Sequence, residues 1–318
     1  MSDGTLFAQD AHAVIIGEAF IDLMTMPGTA QLTYIPKFGG SALNVAVGVR
    51  RLGTPVSLAS TLAPGELAAA LRHFCEREGV DITPLSTEVT QGFLAVATPV
   101  GGHVTYEFFG DLASLTQIDS IAGPRVERAS AVHASSTAFL AEPARSTVLG
   151  AFATTAGLRT IDPNPRPNLI KDRKGYLAYL EDLYQEADVV KLSDEDFAYL
   201  KPEVTAEQAA LALHREHGVT VIVTWAALPT LLAHGNVLTS VGVPPTSVVD
   251  ATGAGDSFMA SLLADVCQYG EPRTSAGWVT YIRRANHVAA ATCQGLGGAE
   301  SMPTTPMLTR GHPELHEE

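Results

Sequence analysis

The sequence predicts an α/β fold in which a mostly parallel central sheet is covered by helices on both faces. Between residues 129 and 225, short apolar runs alternate with amphipathic stretches, which is the pattern of strands joined by helical crossovers. Between residues 92 and 109, two strand-like runs flank Gly101-Gly102, a pair that favours a tight hairpin turn. Together these observations predict an α/β body that carries a small β-rich part.

The individual elements follow from periodicity and from turn residues. Apolar or alternating runs predict strands at 13–18, 31–35, 55–62, 92–100, 103–109, 129–135, 158–162, 188–192, 219–225, 231–233 and 237–239. Apolar residues three or four apart predict helices at 41–52, 64–78, 143–156, 174–186, 194–200, 206–217 and 275–292. Gly79 is expected as a C-terminal helix cap, and residues 214–217 are interpreted as a solvated helix end.

Composition and charge exclude several classes of protein. The chain has 318 residues, of which 46% are hydrophobic, and this is enough for a large buried core. Its 20 Lys and Arg stand against 34 Asp and Glu, which gives a net charge of −14. We therefore expect no nucleic-acid or membrane partner, because both require basic patches.

The cysteines and the apolar runs favour the cytoplasm. Cys75, Cys267 and Cys293 are far apart in sequence and form no C-x-x-C motif, so we expect reduced cysteines in the core. No apolar run approaches the ~18 residues of a membrane span. The first residues lack the basic start and apolar centre of a signal peptide, so a cytoplasmic location is expected.

The most informative stretch is residues 248–258, in which two valines lead into the segment D-A-T-G-A-G-D. The valines are expected to form a buried strand or its end. Behind the glycines, apolar residues recur with helical spacing up to Gly270. A Gly-Ala-Gly turn at a helix start lets an anion approach unpaired backbone N–H groups. A carboxylate cap alone would explain Asp256 but not the glycines, so we interpret the turn as an anion hole with a general base beside it.

A second glycine turn opens a helix of small residues. Gly39 and Gly40 precede this helix, and Asn44 lies in its first turn. The asparagine is either a satisfied structural residue or a ligand for a polyol, because an amide both donates and accepts hydrogen bonds. Asp22 follows the first apolar run, and is either a solvated loop residue or part of a ligand crevice at the strand ends.

Two further polar segments follow predicted strands. In the first, three prolines stiffen a loop that carries Asn164 and Arg166, and the alternative is a proline-rich turn with a surface arginine. In the second, Ser193 is a natural helix N-cap followed by acidic residues. Capping could explain this second segment, but it leaves Lys191 unexplained.

Two of these stretches together resemble the signatures of the ribokinase-like, PfkB-type carbohydrate kinases. Residues 39–46 are similar to the N-terminal signature of that family, and residues 250–256 to its C-terminal signature D-[TA]-x-G-A-G-D. The resemblance is greatest to the fructokinase branch. It implies a ribokinase-like α/β/α sandwich as a single domain over residues 1–318, with a β-lid formed by residues 23–37 and 91–113. It also implies that two chains can pair through their lid edges as a homodimer.

The resemblance further implies an ATP-dependent sugar kinase that phosphorylates a primary hydroxyl, with fructose as the first candidate. The implied catalytic residues are the base Asp256 and the anion hole of Gly253, Ala254 and Gly255. The implied sugar-binding residues are Asp22, Gly39, Gly40, Asn44, Asn164 and Arg166, with Arg166 near either the sugar or the phosphates. The implied nucleotide-binding residues are Lys191, Ser193, Thr224, Ala226, Gly253, Gly255 and Asn286. Asp196 is expected to bind Mg²⁺ through water, and Asp250 and Thr252 to form part of a K⁺ site.

The sequence also departs from the family pattern and leaves other functions open. The nucleotide motif T-x-G-x-x-G reads Thr224-Trp225-Ala226-Ala227-Leu228-Pro229, without either glycine, and Gly110 replaces the lid arginine of fructokinases. One alternative keeps the reaction but acts on 2-keto-3-deoxygluconate, ribose or a nucleoside. The other is a catalytically silent sugar-binding or regulatory protein, which the lost glycines favour and the intact Asp256 turn disfavours.

Overall fold

The computed structural model describes residues 11–25, 33–82, 89, 91–100 and 103–311. Its strands are β1 (Ala13–Ile16), β2 (Phe20–Thr25), β3 (Tyr34–Gly39), β4 (Val56–Ala59), β5 (Leu94–Val100), β6 (His103–Phe109), β7 (Ala131–Ser135), β8 (Leu158–Asp162), β9 (Val189–Ser193), β10 (Thr220–Trp225), β11 (Leu228–His234) and β12 (Val237–Val241). Its helices are α1 (Ser41–Arg51), α2 (Glu66–Glu78), α3 (Ala113–Thr116), α4 (Gly123–Glu127), α5 (Ala144–Thr154), α6 (Arg173–Glu186), α7 (Asp194–Leu200), α8 (Ala206–His217), α9 (Ala254–Tyr269), α10 (Ser275–Thr292) and α11 (Thr305–Gly311). Part of the predicted first lid segment and the Gly101-Gly102 turn lie outside the described residues.

The large sheet has the strand order β12-β11-β10-β9-β8-β7-β1-β4 within the described residues. All neighbours from β10 to β4 are parallel, and β11 and β12 add an antiparallel hairpin at one edge. Helices α1, α2, α9 and α10 cover one face, and α5, α6, α7 and α8 cover the other, each with its own apolar core. The predicted α/β/α sandwich is therefore confirmed. Because parallel strands end at the same edge, the loops after β1, β7, β8 and β9 lie together there.

A separate small sheet has the order β3-β2-β5-β6, in which β2 and β5 are parallel and the other pairs antiparallel. The pairing of β5 with β6 confirms the predicted hairpin. Near the body, the ring of Phe38 on β3 stacks on that of Phe74 on α2 with centroids 4.3 Å apart. This contact connects the small sheet to the body beside the strand ends.

The structure corrects two predictions about burial. Val248 and Val249 are 63% and 60% exposed and belong to no strand, because the N–H groups of Val249 and Asp250 donate to the carbonyl of Cys293 after α10 and not to a sheet neighbour. The interpretation of residues 214–217 as a solvated helix end is wrong for its histidines. His214 is buried: its Nδ1 is 2.7 Å from the carbonyl of Val219, and its Nε2 accepts the N–H of Asn236 at 3.0 Å. The β11–β12 turn folds over this helix end.

The three cysteines behave as predicted, since all are free and buried. Among the described residues, no helix combines the length and apolar character that crossing a membrane would require.

Helices α1 and α9 pack closely because both present small residues to each other. A Cβ on Gly48 of α1 would lie 2.6 Å from the Cβ of Ala260 on α9. Gly48 therefore sets the distance between the helices, and with it the distance between the two glycine turns at their N-termini.

Gly48→Ala is expected to destabilise the protein by about 1–3 kcal/mol, because the added methyl group overpacks the α1–α9 contact. Gly150→Ala on α5 is the matched control, since a Cβ there would meet no atom within 4 Å. The free energy of unfolding of that control is expected to rise by about 0.4–1 kcal/mol, the usual benefit of alanine over glycine in a helix. Urea unfolding measures the free energy of unfolding of both variants. Equal changes in the two variants would contradict the close contact between Gly48 and Ala260.

Candidate active site

The N-terminus of α9 offers backbone N–H groups to a ligand. Gly253 is the residue before the helix and has φ +83°, a conformation that favours glycine. The N–H of Ala254 donates to the carbonyl of Ala251, and that of Ser257 to Gly253. Within the described residues, the N–H groups of Gly255 and Asp256 have no acceptor. In the predicted Gly253-Ala254-Gly255 anion hole, Gly255 thus supplies one N–H donor. Asp256, the residue after it, supplies another.

Asp256 lies in the first turn of α9, is 8% exposed, and is held by α1. Its Oδ1 accepts a hydrogen bond from Ser41 Oγ at 2.7 Å, and its Oδ2 accepts one from Asn44 Nδ2 at 2.7 Å. The Oδ1 of Asn44 is buried and has no partner among the described residues. The structure therefore brings the predicted base and a predicted sugar ligand together, with one amide oxygen left to accept a hydrogen bond.

A buried glutamate fixes the start of α1. The residue before the helix, Gly40, has φ +106° and provides no side-chain cap, and a Cβ on it would lie 2.6 Å from the carbonyl oxygen of Glu18. Glu18 Oε1 accepts the N–H of Ser41 at 3.0 Å. Its Oε2 accepts the N–H and the hydroxyl of Thr137, at 3.2 and 2.8 Å. Glu18 thus supplies the missing cap from another element.

The sequence reasoning gave no role to Glu18 or to Ser41. A glutamate directly after a buried strand and a serine directly after the Gly-Gly pair were the available signals. Neither signal identifies its partner, because the contacts join residues that are far apart in sequence.

Asp22 lies on strand β2 of the small sheet and faces the same crevice. It is 8% exposed, and its Oδ1 has no partner among the described residues. Its carboxylate lies against the Cα of Gly39, where any side chain would collide with it. Burial raises the pKa of Asp22 to about 7, although the nearby Arg166 guanidinium acts in the opposite direction.

Arg166 and Tyr106 lie near Asp22, on the side of the crevice formed by the small sheet. Arg166 is close enough to influence the pKa of both Asp22 and Tyr106. Burial raises the pKa of Tyr106, and the nearby Thr252, in the turn before α9, acts in the opposite direction. Strand β6 therefore brings a tyrosine that the motif analysis did not select near this turn. Asn164, in the same loop as Arg166, is half-buried and has φ +35°.

A buried ion pair lies beneath the turn. The Lys191 side chain is 5% exposed, and its Nζ donates to Asp162 Oδ2 at 2.7 Å. A Cβ on Gly255 would lie 2.8 Å from this Nζ, so glycine makes room for the ammonium. Burial opposes the charge of Lys191, but the carboxylates of Asp162, Asp196 and Asp256 raise its pKa above the ordinary value. Lys191 therefore carries a positive charge behind the backbone N–H groups at the start of α9.

Ser193 and Asp196 form a capping box at the start of α7. Ser193 Oγ accepts the N–H of Asp196 at 3.1 Å, and Asp196 Oδ2 accepts the N–H of Ser193 at 2.6 Å. The helix-capping role, which the sequence offered as the alternative explanation of this segment, is thus present in the structure. The water-mediated contact of Asp196 with Mg²⁺ stays a prediction.

The altered nucleotide segment is a tight turn. Ala226 and Ala227 connect β10 to β11 between the paired residues Trp225 and Leu228, and Ala226 has φ +43°. Asn286, expected beside the nucleotide, is buried on α10 and makes two hydrogen bonds within the protein. Its Oδ1 accepts from Thr230 Oγ1 at 2.8 Å, and its Nδ2 donates to the carbonyl of Gly242 at 3.1 Å. The nucleotide contacts of Thr224, Ala226 and Asn286 stay predictions.

Asp250 connects the turn before α9 to the loop after α10. Its Oδ1 accepts the N–H of Thr252 at 2.9 Å, and its Oδ2 accepts the N–H of Gly297 at 3.1 Å. The expected K⁺ site at Asp250 and Thr252 stays a prediction.

Among the residues that the structure describes, the one group of His, Cys, Asp and Glu donor atoms that converge within 4.8 Å is Glu181, Glu216 and His217. These residues belong to α6 and α8 and lie outside this crevice.

Sequence comparison identifies relatives along nearly the whole chain. Residues 10–305 match the family described as pfkB family carbohydrate kinase. A fructokinase from Salmonella typhimurium is 29% identical over 308 residues, which cover 95% of this chain and 99% of that protein. A fructokinase from Klebsiella pneumoniae is 27% identical over 302 residues, which cover 93% of this chain and 97% of that protein.

Solved structures share the fold. A fructokinase from Vibrio cholerae O395, in a form with bound fructose, ADP and calcium ion, has a TM-score of 0.82 at 22% identity and covers 94% of this chain and 98% of that one. A fructokinase from Xylella fastidiosa with bound ATP has a TM-score of 0.82 at 22% identity and covers 95% of this chain and 99% of that one. The predicted ribokinase-like α/β fold is confirmed.

Asp22→Asn is expected to stabilise the protein more at pH 8 than at pH 5. Between the ordinary pKa of 3.8 and the folded value of about 7, the folded state keeps a proton that the unfolded chain has lost. The stability of the wild type therefore falls as the pH rises through this window, whereas the amide does not titrate. We expect a gain in Tm of about 2–4 °C at pH 8.

Thermal unfolding at the two pH values measures this difference. Asp182→Asn, at an exposed position on α6, is the control and is expected to show no pH-dependent gain. An equal Tm difference at pH 5 and pH 8 for Asp22→Asn would contradict the buried, protonated carboxyl group.

Proposed function

Because this chain belongs to the PfkB family of carbohydrate kinases, we propose that it transfers the γ-phosphate of ATP to a primary hydroxyl of a sugar, with fructose as the first candidate. One observation carries the proposal: the carboxylate of Asp256 lies in the first turn of α9, beside backbone N–H groups that have no acceptor among the described residues. A base and an anion-binding backbone at one point are what phosphoryl transfer to an alcohol requires.

In the proposed reaction the sugar hydroxyl oxygen forms a bond to the γ-phosphorus, and the bond from that phosphorus to the β–γ bridging oxygen breaks. The hydroxyl proton passes to Asp256, and ADP leaves with the bridging oxygen. The N–H groups of Gly255 and Asp256 stabilise the charge on the transferred phosphoryl group, and the positive charge of Lys191 beneath the turn adds to this field. Mg²⁺, when bound with ATP, would neutralise part of the phosphate charge, with Asp196 contributing through water.

The sugar is proposed to occupy the space between the lid and α1. Asp22 Oδ1 and Asn44 Oδ1 are buried acceptors without a partner among the described residues, and they support this position because they can accept hydrogen bonds from sugar hydroxyls. Arg166 is proposed to contact the sugar, and its influence on Asp22 and Tyr106 supports this choice over the phosphates.

Fructose is proposed first because the two relatives described above, which match over nearly their whole length, are fructokinases. Gly110, in place of the lid arginine, disfavours a sugar acid, since a carboxylate usually requires a cation.

A homodimer through the lid is proposed as well. Tyr34 on the edge strand β3 and Phe109 on the edge strand β6 are 39% and 51% exposed. Open strand edges with apolar side chains favour pairing with a second sheet. Light scattering coupled to size-exclusion chromatography measures the mass in solution.

Asp256→Asn is expected to lower kcat by at least about 10²–10⁴-fold, because the amide cannot take up the hydroxyl proton. Turnover is measured with ATP and Mg²⁺ against ketoses, pentoses, sugar acids and nucleosides. As the control for folding, the thermal shift caused by the preferred sugar is expected to persist in the variant. Near-wild-type turnover would contradict the role of Asp256. Sugar binding without turnover by the wild type would favour the silent-protein alternative.

A further inference from the structure

We propose that Ser41 is a positioning residue that holds the carboxylate of Asp256 in the orientation in which it takes up the substrate proton. This inference rests on the proposed function, in which Asp256 is the base. It assigns a task to a side chain for which neither the family motif nor the sequence comparison supplies one.

The geometry of Ser41 connects it directly to the base. Its hydroxyl donates to Asp256 Oδ1 at 2.7 Å, which is a normal length for a hydroxyl bound to a carboxylate. Both side chains are nine-tenths or more buried, so water competes little for this hydrogen bond. Ser41 therefore restricts the rotation of the Asp256 carboxylate from one side, as Asn44 does from the other.

Ser41 is itself held rigidly. Its backbone N–H donates to Glu18 Oε1 at 3.0 Å, and the other oxygen of Glu18 accepts two hydrogen bonds from Thr137. Hydrogen bonds thus run from the end of β7, through the glutamate after β1 and the first residue of α1, to the base on α9. A donor that is anchored in this way defines the position of its acceptor.

The two donors differ in what else they must do. Asn44 Oδ1 lacks a partner within the described part of the chain and is proposed to accept a hydrogen bond from the sugar, so the orientation of its amide depends on the bound substrate. The hydrogen bond of Ser41 to Asp256 has no such second requirement. Ser41 is therefore the donor that can keep the carboxylate in place before and after the sugar binds.

A purely structural role explains the hydroxyl group of Ser41 less well than the positioning role does. Serine near a helix start usually bonds to the backbone of its own helix, but this hydroxyl crosses to the neighbouring helix. The contact between α1 and α9 is made by small apolar groups at Gly48 and Ala260. Packing of the two helices thus does not require a polar group at Ser41.

The test compares Ser41→Ala with Ser57→Ala, using the preferred sugar, ATP and Mg²⁺. Ser57 is the matched control, because it is also buried and also donates to a carboxylate, Asp81 Oδ2 at 3.0 Å, but lies on β4 away from the catalytic turn. We expect Ser41→Ala to lower kcat by about ten-fold with little change in the KM for the sugar, since a misaligned base slows proton uptake without weakening binding. Ser57→Ala is expected to keep the wild-type kcat.

A double-mutant cycle separates positioning from a general structural effect. In the Asp256→Asn background, Ser41→Ala is expected to cause no further loss of kcat, because no base remains to be oriented. A loss of the same factor in both backgrounds would overturn the inference. Should Ser41→Ala not fold, Ser41→Cys replaces it, since a thiol is close in size but a weak donor.

The outcomes distinguish this inference from the function on which it rests. Wild-type kcat in Ser41→Ala, together with an inactive Asp256→Asn, would overturn the role of Ser41 and leave the kinase proposal intact. Near-wild-type activity of Asp256→Asn, or no activity of the wild type with any acceptor, would overturn the function itself and the role of Ser41 with it.

Discussion

The hydrogen-bonded contact between the first turns of α1 and α9 is the feature on which the candidate site depends. Asp256 begins one helix, and both of its oxygens are held by side chains of the other. The distance between the helices is set by a glycine against an alanine, so the N-termini of the two helices lie close enough for these side chains to meet. The residues proposed to bind the sugar and those proposed to bind the phosphate are thereby brought to a single carboxylate.

The candidate site provides local positive charge and backbone donors within a strongly acidic protein. The net charge is −14, so attraction of an anion by the whole surface is unfavourable. The crevice offers instead local donors: the N–H groups at the start of α9, and the buried ammonium of Lys191 behind them. Glycine at position 255 is required for this arrangement, because a side chain there would occupy the place of the ammonium.

The small sheet lies close to the turns that precede α1 and α9. Tyr106 on β6 is close enough to Thr252 for that residue to influence its pKa, and Asp22 on β2 lies against Gly39 at the entrance to α1. Burial raises the pKa of Asp22 and thereby lowers the free energy of unfolding at neutral pH. Such a cost is typical of a group kept for binding, since a well-packed apolar residue would avoid it.

Much of the fold and the centre of the site could be predicted from the sequence. The parallel sheet, the lid hairpin and the bounds of α10 follow from periodicity and turn residues, which are local properties of the chain. The turn before Asp256 was recognisable for the same reason, because glycines, a helix start and a carboxylate are adjacent there. The binding roles of Asp22 and Asn44 were weighed against structural ones, and their unpartnered oxygens now support the binding roles.

Only the tertiary structure decided which residue each polar or apolar side chain contacts. Local sequence did not reveal that Val248 and Val249 are exposed, that His214 is covered by a distant hairpin turn, or that Asn286 bonds to Thr230. The sequence by itself determined the chemistry at the N-terminus of α9, because that chemistry is made by consecutive residues. The tertiary structure decided how Asp256 is held, because Ser41 and Asn44 come from a helix far away in the chain and reach it only when α1 and α9 pack together.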